Sequence, residues 1–168
     1  RQGGCIASGK KHTICIDGDG GFIMNIQELE TVRRLNLPIK FFVLNNNGYV
    51  SIRTTQNTHF GGKLVASGET SGLTLPSLMK NANTYDIPYY KIENHTNIHN
   101  LIREVVDRDG PVICEIMLPS THVTAPKTSV YKKEDGSFSA RPMEDLFPFL
   151  DRDEFNENMI YIYVIDKN

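Results

Sequence analysis

The sequence predicts a three-layer α/β/α domain with a mainly parallel sheet, followed by an extended C-terminal tail. Three observations carry this reading. Four short apolar runs, at 12–16, 39–44, 88–92 and 112–118, have the near-continuous hydrophobicity of strands covered on both faces. Segments with helical apolar spacing lie between them, so strand and helix alternate. After residue 118 the pattern stops, and Pro119, Pro126, Pro142 and Pro148 are spread among scattered charges. The boundaries that follow are a domain over 1–118 and an extension over 119–168 that packs on it.

Each element has its own local cause. The first strand is the run HTICI. The helix predicted over 22–35 places Phe22, Ile23, Ile26, Leu29, Val32 and Leu35 on one broad stripe. Pro38 closes the connection to the second strand, IKFFVL, a buried run with one lysine inside it. Asn45-Asn46-Asn47-Gly48 is a loop signal. A short helix is expected over 49–56. The next stretch, 59–72, carries Gly61, Gly62, Gly68 and Gly72 and reads as a mobile loop. A helix over 75–85 has Pro76 in its first turn, where a missing N–H costs nothing. Ile98, Leu101, Ile102, Val105 and Val106 repeat at helical spacing after a cap at Thr96 or Asn97, and Asp109-Gly110-Pro111 ends that helix. A short acidic helix is expected over 151–158, and 161–165 is read as a last strand or a frayed end.

Composition narrows the function. The chain has 168 residues, enough for one domain but tight for two. Eighteen basic and 20 acidic side chains leave a net charge of −2, too weak a field to favour nucleic acid or an anionic membrane as partner. No apolar run approaches the length of a membrane span. Cys5, Cys15 and Cys114 form neither a disulfide framework nor a CxxC zinc pair. Cys15 and Cys114 sit inside apolar runs as packing residues, and a reducing, cytoplasmic setting is the expectation.

The chemistry concentrates at Asp17-Gly18-Asp19-Gly20-Gly21, between the first strand and the first helix. A strand, a glycine loop and a helix together present backbone N–H groups to an anion such as phosphate. Asp19 in the middle would repel that anion unless a cation lay between them. A hard divalent metal, Mg²⁺, bridging Asp19 to a di- or triphosphate resolves the conflict. The stretch is neither a Walker A loop nor a full GxGxxG. A second ligand is expected at the carboxyl end of the neighbouring strand, where Asn45, Asn46 and Asn47 lie. Asp19 and Asn46 are 27 residues apart, one helix plus one strand. A helix N-cap remains the structural alternative for Asp19, and an ordinary loop for Asn47.

Gly18-Asp19-Gly20 followed by Asn45-Asn46 resembles the GDG…NN signature of thiamine diphosphate (ThDP) enzymes. GDGGFIMNIQEL, RRLNL and FFVLNNNG are similar to the C-terminal pyrophosphate-binding domain of the acetolactate synthase and pyruvate oxidase superfamily. SIRTTQ at 51–56 and RPMED at 141–145 extend the resemblance to acetolactate-synthase-like proteins. The resemblance implies that the Asp19 carboxylate, the Asn46 side-chain oxygen and the Gly48 carbonyl coordinate Mg²⁺. It implies that Gly18, Gly20, Gly21 and Phe22 cradle the diphosphate and that Tyr49 and Val50 lie near the cofactor. It also implies a 2-oxoacid substrate, loss of CO₂ with the cofactor as electron sink, and acyl transfer to a carbonyl acceptor. FAD is possible in the parent enzyme, and so is a homo-oligomer.

Two departures qualify the picture. The activating glutamate of that superfamily belongs to a separate N-terminal domain, and the glycine-rich stretch expected before the GDG strand is reduced here to residues 1–7. The expectation is one domain of a larger enzyme, inactive alone. A pyruvate oxidase, a simple 2-oxoacid decarboxylase and a non-catalytic diphosphate-binding or assembly module stay open. Glu28 reads as structural or as a subunit contact. His59 reads as a solvated loop residue, with facing substrate as the alternative. His12, His95 and His99 read as surface residues, and Cys114 as too deeply placed to be a nucleophile.

Overall fold

The structure, a computed structural model, describes residues 2–122 and 124–159, so the expectation for 161–165 lies outside the described residues. The chain divides into two compact units, the first through residue 122 and the second from residue 123.

The first unit runs α1 (Gln2–Ala7), β1 (Thr13–Gly18), α2 (Asp19–Ile23), α3 (Leu29–Arg34), β2 (Ile39–Asn45), α4 (Val50–His59), α5 (Leu78–Thr84), β3 (Tyr89–Ile92), α6 (Ile98–Asp107) and β4 (Val112–Met117), with 3₁₀ turns at Ile26–Glu28 and Glu69–Ser71. The four strands form one sheet in the order β1-β2-β4-β3. Every pairing is parallel. Alternating side chains of the strands feed two cores. One face joins Cys15, Ile39, Phe41, Val43 and Ile113 to Cys5, Phe22, Leu29, Val32, Leu78 and Ala82. The other joins Phe42, Val112 and Cys114 to Ile92 and to Val105 of α6. The sheet is covered on both faces along β2 and β4, as the apolar runs predict, but the edge strand β1 leaves Ile14 and Ile16 more than half exposed on one face.

The helix expected over 22–35 is broken. Gly18 is extended (φ −83°, ψ 156°), which lets the helical turn begin at Asp19, earlier than predicted. The turn then stops at Asn25 (φ −131°, ψ 40°) and restarts as 3₁₀ before α3. Phe22, Leu29 and Val32 still reach one core across the break. The helix after Pro76 starts at Leu78, because the Ser77 side chain accepts the Lys80 N–H and caps it. Asn97 precedes α6 as expected, but in left-handed geometry (φ 65°) and without a side-chain cap. Asn tolerates that conformation better than other residues with a side chain. The 59–72 stretch is irregular yet tied down: Ser71 Oγ accepts the Ser67 and Gly68 N–H groups, and Ser67 is fully buried.

Lys40 is the largest fully buried side chain in the first unit, 1% exposed. Its ammonium donates to the carbonyls of Arg108 and Gly110, just past the end of α6. A cation there meets the negative end of the helix dipole and satisfies carbonyls that the helix leaves unpaired. Burial pushes the Lys40 pKa down, partly offset by Asp109.

The second unit holds an antiparallel pair, β5 (Val130–Lys132) with β6 (Phe138–Ala140), and α7 (Arg152–Asn158). Its centre is Asp145, 5% exposed, which accepts from both Arg141 and Arg152 at 3.0 Å. Those guanidiniums, Arg152 foremost, hold its carboxyl below the usual carboxylate range. Arg141 also lies over the Phe149 ring, 4.5 Å from the ring centre. Aromatic and guanidinium faces supply the cohesion that a unit with few buried aliphatic side chains lacks.

Candidate functional site

The site begins where β1 and β2 end together. Their register sets Gly18 opposite Leu44, so the loops after both strands leave the sheet side by side. Asp19 lies in this corner, 3% exposed. Its Oδ1 accepts the Gly20 N–H and its Oδ2 accepts the Gly48 N–H, both at 2.9 Å. One carboxylate therefore joins the two sequence motifs directly.

The turn after β2 is held tightly. Gly48 has φ 134°, and a Cβ there would lie 2.6 Å from the Ser67 carbonyl oxygen, so only glycine fits. The Tyr49 N–H donates to that same carbonyl. Asn47 is left-handed (φ 58°), and its N–H donates to Asn45 Oδ1 at 3.0 Å. The Asn46 carbonyl accepts a long bond, 3.5 Å, from Arg53 Nη2. Asn46 Oδ1 is buried and has no hydrogen-bond partner.

Gly20 explains the position of Tyr49. A Cβ on Gly20 would lie 2.2 Å from Tyr49 Cε1, so the ring rests directly on the glycine backbone. Gly20→Ala is expected to cost about 1–3 kcal/mol by overpacking. Thermal unfolding checks this, and Tyr49→Ala in the same chain should recover part of the loss. A Cβ on Gly21 would lie 2.9 Å from Asp17 Oδ1. Phe22 turns inward, 2% exposed, with its ring edge-on to Phe41 at 5.5 Å. Only its backbone can serve a ligand at this corner. Val50 opens α4.

The structure thus brings Asp19, Gly20 and the 46–49 turn together, with Gly18 and Gly21 on either side of the first two. The donors fit a hard cation: one buried carboxylate and one buried amide oxygen that no protein group satisfies. Among the described residues no group of three or more His, Cys, Asp or Glu side chains could hold a metal, so the oxygen set is mixed in kind. Beside the corner lies a cavity of about 340 Å³ lined by Asp19, Asn45, Asn47, Glu69, Ser77 and Glu115, among others.

The other sequence candidates lie elsewhere. Glu28 is exposed in the 3₁₀ turn, and its backbone carbonyl accepts from the Gln2 side chain. His59 is exposed at the end of α4, and His12, His95, His99 and His122 are exposed too. Cys114 is fully buried, and burial, helped by Glu115, pushes its thiol up to about 11. A thiol so placed is inert at neutral pH.

Two residues at the site carry no motif, and a third, Arg53, lies in the SIRTTQ segment. Glu115 on β4 holds Asn45, Tyr89 on β3 holds Glu115 in turn, and Arg53 reaches back to Asn46. The sole sequence signal for Glu115 is one acid inside the apolar run VICEIML.

Comparison with known proteins decides the family. Residues 2–116 match the model described as "Thiamine pyrophosphate enzyme, C-terminal TPP binding domain". The chain belongs to this family. Among its relatives is an acetolactate synthase large subunit of Pyropia yezoensis, 33% identical over 61% of this chain and 17% of the relative. A probable acetolactate synthase large subunit of Methanococcus aeolicus is 32% identical over 69% of this chain and 19% of the relative. The chloroplastic acetolactate synthase 2 of Zea mays is 29% identical over 70% of this chain and 19% of the relative. The chain spans less than a fifth of the length of these relatives. The matched region is the TPP-binding, acetolactate-synthase-like domain, and no described helix is long and apolar enough to cross a membrane.

Proposed function

We propose that this chain is the Mg²⁺–ThDP-binding domain of a 2-oxoacid-processing enzyme of acetolactate-synthase type. The observation that carries the reading is the pairing of a buried Asp19 carboxylate with the unsatisfied, buried Asn46 Oδ1 in one corner of the sheet. Asp19 and Asn46 would hold the cation, with the Gly48 carbonyl completing the set. Backbone N–H groups of Gly21 and Phe22 would meet the diphosphate, since the Gly20 N–H is already engaged by Asp19. Tyr49, pressed on Gly20, would wall the corner against water. When bound, the cofactor supplies an electron sink for loss of CO₂ from a 2-oxoacid such as pyruvate and for acyl transfer to a carbonyl acceptor.

The resembled superfamily carries its activating glutamate on a separate domain, so the chain is read as inactive alone, completed by other domains and by a second subunit. Apolar surface supports a homo-oligomer: Ile14, Ile16, Met24 and Phe60 are each more than half exposed. A cytoplasmic or organellar setting, and FAD in the parent, depend on those other parts.

The test is thermal unfolding of the chain with ThDP and Mg²⁺, then with EDTA. A stabilisation that needs both and that EDTA reverses is expected. An equal shift with inorganic pyrophosphate and Mg²⁺ would reduce the site to a general diphosphate binder, and no shift in either the chain or its full-length parent would refute the reading.

A further inference from the structure

Glu115 is a buried acid that the proposed cofactor chemistry does not use. It is 7% exposed and sits on β4, in register with Val43 of β2. An unpaired carboxylate in such a place is costly unless hydrogen bonds satisfy it. Both oxygens are satisfied. Oε1 accepts from Asn45 Nδ2 at 2.5 Å, and Oε2 accepts from the Tyr89 hydroxyl. Burial first, then the bond to Glu115, pushes the Tyr89 pKa up, so the phenol stays a donor throughout the neutral range.

The bonds continue toward the cation corner. With its Nδ2 held by Glu115, the Asn45 amide is fixed in one orientation, and its Oδ1 faces the Asn47 N–H. That bond closes a turn around Asn46, whose Oδ1 is the buried, unsatisfied oxygen of the site. A flipped or rotating Asn45 would put an NH₂ against the Asn47 N–H and open the turn. Ala at position 115 removes the acceptor that holds Nδ2, whereas Gln keeps an acceptor oxygen and can hold it still.

We propose that Glu115 is a positioning residue, which sets the affinity of the cation site by locking the Asn45 amide and through it the turn that presents Asn46. The inference rests on the proposed Mg²⁺–ThDP reading and adds to it a strand and a side chain that the GDG…NN motif does not contain. Tyr89 supports the lock from β3, so the cation corner on β1 and β2 is braced by the other two strands of the sheet.

Two readouts on the full chain test this, one of which needs no cofactor. Amide hydrogen exchange by NMR follows the Asn47 N–H. Mn²⁺ binding in saturating ThDP, followed by electron paramagnetic resonance, reports the cation site. In Glu115→Ala the Asn47 amide is expected to lose protection about tenfold while the Val43 amide keeps its own. Mn²⁺ affinity should fall roughly 10–100-fold, the range for groups that orient metal ligands. Adding Asn45→Ala to Glu115→Ala should weaken Mn²⁺ binding no further than Asn45→Ala alone, because both act on the same turn. If Glu115→Ala fails to fold, Asn45→Ala alone, which leaves the Tyr89–Glu115 bond in place, carries the same two readouts. Unchanged protection at Asn47 overturns the inference whatever the cofactor does. Released Asn47 with unchanged Mn²⁺ affinity overturns it alone and leaves the proposed function standing. Failure of both the wild-type chain and its full-length parent to bind Mn²⁺ with ThDP overturns both.

Discussion

Asp19→Ala is expected to abolish the Mg²⁺-dependent stabilisation by ThDP. Ligand at 100 times its Kd adds about 2.7 kcal/mol to a protein that binds it only when folded. At roughly 2–4 °C per kcal/mol for a chain of this size, the wild-type midpoint should rise about 5–10 °C. Removing the carboxylate takes away the one anionic ligand and also strands the Gly20 and Gly48 N–H groups that it accepts. The ligand-free midpoint will therefore fall as well, by about 1–3 kcal/mol for each donor left without a partner or water. The quantity to read is the ligand-induced shift, not the midpoint. Asp19→Asn separates the two effects: it keeps an acceptor for a backbone N–H and loses the charge. A full ligand-induced shift in Asp19→Asn would show that the carboxylate is a structural clasp and not a cation ligand.

Lys40→Ala is expected to be the most damaging substitution outside the site. It deletes a buried aliphatic stem and two charge-assisted bonds to the chain end of α6. Together these should cost about 3 kcal/mol. Lys40→Met keeps the stem and should cost about half as much. The pH dependence has a definite sign. Burial lowers the Lys40 pKa below its ordinary 10.5. Between the lowered value and 10.5 the unfolded chain binds more protons than the folded one, so this group's contribution to stability rises with pH. Below the lowered value that gain is absent. Urea unfolding of wild type and Lys40→Met from pH 7 to 10.5 should show the wild type improving relative to the variant. A constant difference would mean that Lys40 titrates normally.

The strands were legible because each is an apolar run bounded by turn residues, and all four appear where the runs lie. The pairing of GDG with the asparagine turn was legible because one helix and one strand separate them. Helix ends were less so, because caps decide them: Ser77 caps α5 with its side chain, and Asn97 precedes α6 without doing so. The helix α1 was not read at all, since Gly3 and Gly4 oppose helix formation and the buried Cys5 is one of the core contacts that offset them. Lys40 and Glu115 stood in the sequence as isolated charges inside strands. Their partners lie 68 to 70 residues away for Lys40, and 70 and 26 for Glu115. No local pattern can announce such a partner. The requirement for Gly20 is similar, because it is imposed by a ring that arrives from the turn after the second strand.

The order of strands in the sheet has a consequence for synthesis. The two loops of the cation corner come from one contiguous strand–helix–strand unit, whereas Glu115 follows Asn45 by 70 residues. At about 5–20 residues per second that gap is roughly 4–14 s of translation. During it the nascent chain carries Asp19 and Asn46 just past the ends of β1 and β2, with no β4 between β2 and β3 to hold the asparagine turn. Insertion of β4 beside β2 is therefore the step that both completes the sheet and sharpens the corner. A cofactor that binds the sharpened corner selects for chains in which that last strand has docked.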